Sequence, residues 1–61
     1  MNDTIKKIHE ICQKYELPVF ENPRDNVMVI LAAAEPTGAD KLEAFDLYDE
    51  YMLEQWHLGN V

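Results

Sequence analysis

The sequence predicts a small all-α protein, a three-helix bundle that forms a single domain over residues 1–61. Three prolines divide the chain into three main segments. The first segment repeats apolar residues at helical spacing, and the last has no Gly, Pro or β-branched residue in its interior. A chain of 61 residues has room for one hydrophobic core, and its single cysteine cannot form an intrachain disulfide.

The first helix is predicted over Thr4–Glu16, with Asp3 or Asn2 as its N-cap. Its apolar residues recur every three or four positions and fill one sector of the helix: Ile5, Ile8, Ile11, Cys12 and Tyr15. We expect this helix to end near Leu17, because Pro18 disfavours helical geometry in the residue before it.

The middle segment permits two interpretations. Asn22 can cap a helix that has Pro23 at its first position, Asp25 in its first turn and Pro36 as its end. The alternative is an α-β-β-α fold with a short hairpin over residues 19–31, which the β-branched residues Val27, Val29 and Ile30 favour. Capping chemistry and the run of three alanines favour the helix, and the hairpin stays open as the second interpretation.

The third helix is predicted over Asp40–His57, with Thr37 or Asp40 as its cap and Gly59 as a left-handed stop. Its apolar residues cover well over half of the circumference, which is more than two short neighbouring helices can bury. Exposed apolar patches mark interfaces, and Tyr and Trp are enriched at binding hot spots. We therefore expect a contact patch that includes four side chains: Tyr48, Tyr51, Met52 and Trp56.

Most of the negative charge also lies in the third segment. The chain has a net charge of −7, and residues 37–61 carry six acids against one lysine. Four of these acids are spaced by three, four and four residues and form one line along the helix: Glu43, Asp46, Glu50 and Glu54. Such a line can simply be a solvated face, or it can dock on a basic surface and replace nucleic-acid phosphate there.

Chemistry in a catalytic or metal site is not expected. The chain has no serine, and its two glycines do not form a phosphate-binding loop. His9 and Cys12 lie three residues apart, but the cysteine falls in the apolar sector, where packing is the more common role. We expect no enzyme, no cofactor and no metal.

Partners and compartment follow from charge and hydropathy. The acidic balance disfavours direct binding to nucleic acid and to anionic membranes. The longest apolar run, residues 27–34, is far shorter than the ~20 residues that span a bilayer. No signal peptide is recognised at the N-terminus, and a lone cysteine is typical of a reducing compartment, so we expect a cytoplasmic protein.

The sequence thus indicates a small acidic module that binds another protein, as an inhibitor or modulator that occupies a basic surface, including one that binds nucleic acid. Small acidic inhibitors of mobile elements and phages offer an analogy of size and charge alone. The alternative is a homo-oligomeric module, a homodimer in the simplest case, held by the apolar face of the last helix. The predicted partner-binding residues are Glu43, Asp46, Tyr48, Glu50, Tyr51, Met52, Glu54 and Trp56.

Overall fold

Three helices pack against one another in the computed structural model, which describes residues 3–59. They are α1 (Asp3–Lys14), α2 (Pro23–Ala32) and α3 (Gly38–His57). Each helix contacts both others, and no strand occurs in the described part of the chain. The predicted three-helix bundle is confirmed, and the hairpin alternative over residues 19–31 is not supported.

The first helix differs from its predicted bounds at both ends. Asp3 is its first residue and not its cap, and Asn2 lies outside the described residues. The helix ends at Lys14, two residues before the predicted end and well before Pro18. The proline therefore does not set the end of this helix.

A Schellman motif ends α1 instead. The Leu17 amide donates to the Cys12 carbonyl at 2.8 Å, and the Glu16 amide donates to the Gln13 carbonyl at 3.1 Å. Glu16 has a φ of 56°, the left-handed conformation that this motif places after the helix. Leu17 then packs against the core.

Helix α2 begins as the capping pattern predicts. The Asn22 side chain accepts a hydrogen bond from the Arg24 amide at 2.9 Å, and Pro23 is the first helical residue. The helix ends at Ala32, earlier than Pro36 alone would require, because Ala33 already has an extended backbone with a ψ of 151°.

Helix α3 begins at Gly38, two residues before the predicted start. The Thr37 hydroxyl accepts from the Asp40 amide at 3.1 Å, so Thr37 is the cap and Asp40 lies within the first turn. The far end matches the prediction, because Gly59 has a φ of 74°.

The core occupies only part of the length of α3. Its buried apolar residues come from all three helices: Ile8, Ile11, Cys12, Val27, Ile30, Ala44 and Leu47. None of the α3 residues after Leu47 is buried. A rise of 1.5 Å per residue makes α1 about 18 Å long, α2 about 15 Å and α3 about 30 Å, so the two shorter helices cannot cover the whole of the third.

A polar junction joins the end of α1 to the start of α3. The Tyr15 hydroxyl donates to Asp40 Oδ2 and accepts from the Thr37 amide at 3.4 Å. Lys14 Nζ forms an ion pair with the same carboxylate oxygen at 2.9 Å. The Tyr15 hydrogen bond, and then the Lys14 ammonium, hold the pKa of the Asp40 carboxyl below its usual range.

Candidate protein-binding surface

Four large apolar side chains of α3 face solvent along one side of the helix. Their exposed fractions are 62% for Leu42, 50% for Phe45, 63% for Leu53 and 73% for Trp56. At 3.6 residues per turn they fall within a sector of roughly 80°. We call these four residues the outer stripe.

The outer stripe lies on the side of α3 that faces away from the other helices. The buried residues Ala44 and Leu47 occupy the inner side, where α1 and α2 cover the helix. The stripe is exposed because α3 is apolar around most of its circumference and has only two short neighbours.

The predicted contact residues do not all share this surface. Trp56 belongs to the outer stripe, and Met52 is half-buried at its border. Tyr48 and Tyr51 lie toward the inner side: both are partly buried, Tyr48 packs against the core, and their rings stack at 6.3 Å between centroids. The structure therefore separates the tyrosines from Trp56, and their role in binding stays a prediction.

Sequence reasoning missed three members of the stripe, Leu42, Phe45 and Leu53. Their spacing from Trp56 places them on one face of a helix, which the sequence does show. Tyr48 and Tyr51 also recur at helical spacing, so spacing alone does not choose between the two faces. The choice between the two faces depends on where α1 and α2 pack, which the pattern of α3 alone does not contain.

The predicted acidic line runs beside the outer stripe. Glu43, Asp46, Glu50 and Glu54 are all exposed. Within the described residues, none of the first three forms an ion pair. Lys41, the only basic residue of α3 apart from its terminal histidine, donates to the Leu31 carbonyl at 3.1 Å and so lies at the end of α2. The line thus presents net negative charge along one flank of the stripe.

A groove of mixed charge separates α1 from α3. Six side chains line it: Lys7, Glu10, Ile11, Lys14, Asp40 and Glu43. The ion pair between Lys14 and Asp40 crosses it, so much of its charge is compensated within the molecule. Four further apolar side chains are exposed on α2 and the loop before it: Val19, Phe20, Met28 and Leu31.

The two α1 residues considered for chemistry differ in burial: Cys12 lies in the core, and His9 is half-buried. Cys12 is fully buried, its Sγ lies 3.9 Å from the Asn26 carbonyl oxygen, and burial raises the pKa of the thiol. The Nε2 atom of His9 is buried without a hydrogen-bond partner in the described structure. Within residues 3–59, no three His, Cys, Asp or Glu side chains form a cluster suited to a metal ion.

The chain matches no protein-family model, no curated protein sequence and no solved structure. No helix within the described residues combines the length and the hydropathy needed to cross a lipid bilayer.

Proposed function

We propose that this protein is a small acidic binding module of the cytoplasm that acts by occupying a surface of another protein. The outer stripe supplies the contact, and the acidic line steers and orients it. A partner with an apolar patch next to lysines and arginines fits this surface. Where that basic surface binds nucleic acid, the module inhibits it by competition.

One observation carries the proposal: four large apolar side chains are exposed by half or more along one side of one helix. Single exposed apolar residues are normal on protein surfaces, whereas several large apolar side chains exposed on one face of a helix are typical of interfaces. Trp56 and Phe45 are aromatic, and aromatic side chains are enriched in interface cores. A regular helix also presents them with little loss of backbone freedom on binding.

The charge next to the stripe supports a basic partner. Glu43, Asp46 and Glu50 lie along its flank without an ion pair in the described part of the chain. Rim charges of this kind accelerate association with an oppositely charged surface and discriminate against acidic ones. Because they are exposed, their contribution falls as salt screens them.

The experiment is an affinity capture from the source cells with matched variants as bait. The stripe variant is Phe45→Asp with Trp56→Asp, and the control is Met28→Asp with Val19→Asp, which changes two exposed apolar residues elsewhere. The proposal expects a protein that the wild type and the control retain and the stripe variant loses. Retention by all three baits, or by none, contradicts it.

The acidic line is tested on the captured partner. Asp46→Lys with Glu50→Lys reverses two charges beside the stripe, and Glu21→Lys with Glu35→Lys reverses two exposed acids outside α3 as a control with the same change in net charge. We expect the first variant to bind more slowly and the wild-type association rate to fall as salt rises. A salt-independent rate with unchanged affinity in the first variant would remove the acids from the proposal.

A further inference from the structure

The face of α3 that carries the outer stripe also has the spacing of a coiled-coil seam, with the acid Asp49 at the centre of that seam. Steps of three, four, three and four residues lead from Leu42 through Phe45, Asp49 and Met52 to Trp56. This alternation keeps one face of a helix in register with a second helix packed along it. Asp49 is exposed and forms no ion pair within the described residues.

Asp49 differs from the acids of the flanking line in what surrounds it. Phe45 and Leu53 lie one turn before and after it, and Leu42 and Trp56 lie two turns away on the same face. A helix that covers these four apolar residues also covers the carboxylate between them and removes it from water. A buried charge of this kind is strongly unfavourable unless the partner supplies a cation.

This position opposes pairing of the stripe with a second copy of itself. The outer stripe is symmetric about Asp49: Phe45 and Leu53 each lie four residues from it, and Leu42 and Trp56 each lie seven residues from it. In a fully overlapping parallel pair, Asp49 faces Asp49. In a fully overlapping antiparallel pair, the two-fold axis passes through Asp49, and the two carboxylates meet again. Two like charges therefore meet at the centre of the interface in both arrangements.

We infer that the outer stripe receives an amphipathic helix of a different protein, which places an arginine or lysine against Asp49. Arginine suits this position best, because its guanidinium is weakly hydrated and binds a carboxylate through two parallel hydrogen bonds. The inference rests on the proposed function and adds to it the form and central charge of the partner. Asp49 is then the residue that selects the partner and excludes self-association.

Two synthetic helical peptides of about three heptads test the pairing. Both have leucine at the seam positions and identical flanking residues; one has arginine at the central seam position and the other has glutamate. We expect the wild type to bind the arginine peptide about tenfold more tightly or better. Asp49→Lys should reverse this preference, whereas the control Glu21→Lys, which makes the same charge change at an exposed loop position outside α3, should retain it.

Equal affinity for the two peptides, or no binding of either, overturns the inference. An Asp49→Lys variant that still prefers the arginine peptide does the same. Neither result affects the proposed function, which the affinity capture with the stripe variant decides separately. If the capture experiment fails although the peptides show a clear preference, the proposed function is contradicted, and the preference of the seam for a helix with a central cation still stands.

Sedimentation equilibrium tests the exclusion of self-association. We expect the wild type to remain a monomer of 7.1 kDa at high micromolar concentration. Asp49→Leu should form a dimer, because it completes the apolar seam, whereas the control Glu21→Leu removes the same charge at an exposed loop position outside α3 and should stay monomeric. A wild-type dimer, or an Asp49→Leu variant that stays monomeric, contradicts the role assigned to Asp49.

Discussion

The carboxamide of Asn26 forms two hydrogen bonds with the main chain of Phe20. Its Nδ2 donates to the Phe20 carbonyl at 2.9 Å, and its Oδ1 accepts from the Phe20 amide at 2.6 Å. Asn26 is fully buried, so its amide needs partners within the protein, and the loop before α2 satisfies both polar ends. This pair holds the link between α1 and α2 against the bundle.

Replacing Asn26 by alanine should destabilise the protein by about 2 kcal/mol, because it removes two hydrogen bonds and leaves a small cavity. That is a large loss, since a domain of this length has a total stability of roughly 3–9 kcal/mol. Urea unfolding followed by circular dichroism measures it. Asn22→Ala, which removes only the α2 cap, should cost about 1 kcal/mol. A smaller loss for Asn26→Ala than for Asn22→Ala would contradict the role given to this pair.

Glu16 offers the opposite effect, a stabilising substitution. Its φ of 56° is unfavourable for any residue with a Cβ atom, and glycine adopts it without a steric cost. Glu16→Gly should therefore raise the free energy of unfolding by up to about 1 kcal/mol. Gln13→Gly, on an exposed position within α1, should lower it by a similar amount. Equal losses in both variants would show that Glu16 is not strained.

Asp40 should give the protein a measurable dependence on acid. Because Tyr15 and then Lys14 hold the pKa of this carboxyl below its unfolded value of about 3.9, the folded state binds its proton less readily. The stabilisation is complete above the unfolded pKa and is lost as the pH falls through the folded one. As the pH falls from the unfolded pKa through the folded pKa, the difference in urea midpoint between wild type and Asp40→Asn should shrink.

Tyr15→Phe isolates the cause of the Asp40 shift. It removes the hydrogen bond that contributes most, so the pKa of the Asp40 carboxyl should rise, as measured by carbon-13 NMR titration. Lys14→Met should raise it less, because the lysine side chain is 61% exposed and the aspartate only 16%. A larger effect of Lys14→Met would assign the shift to the ion pair instead.

The outer stripe should contribute little to the stability of the monomer. Trp56→Ala should change the free energy of unfolding by less than about 0.5 kcal/mol, because the side chain is 73% exposed. Ile30→Ala removes a fully buried side chain from the core and should cost about 2–5 kcal/mol. Thermal unfolding of both variants provides the comparison. A loss above 1 kcal/mol for Trp56→Ala, roughly twice that expected limit, would place this residue in the fold and not on a free surface.

The parts of the fold that depend on neighbouring residues could be predicted from the sequence. Asn22 and Pro23 specify the start of α2 through a cap and a fixed φ, and Gly59 supplies the stop after α3. Thr37 was one of two candidates for the α3 cap, and only the backbone geometry separates it from Asp40. The end of α1 at Lys14 could not be predicted, because the motif that ends the helix places Glu16 in the left-handed region, against the backbone preference of a glutamate.

Features that depend on distant packing were not predictable in the same way. Asn26 forms hydrogen bonds with main-chain atoms of Phe20. Because these atoms do not depend on the type of residue, the sequence does not indicate the pair. To locate the outer stripe, one must know which side of the α3 circumference α1 and α2 cover. The width of the apolar surface of α3 could be predicted from composition and spacing. The exposure of Leu42, Phe45 and Leu53 within that surface could not.

Trp56 is the only tryptophan of the chain, and it lies on the exposed part of α3. Its indole is already hydrated in the folded state, so its emission should change little when the protein unfolds. The same emission should shift to shorter wavelength when a partner removes the indole from water. The protein therefore carries an intrinsic optical probe that responds to docking and hardly at all to denaturation.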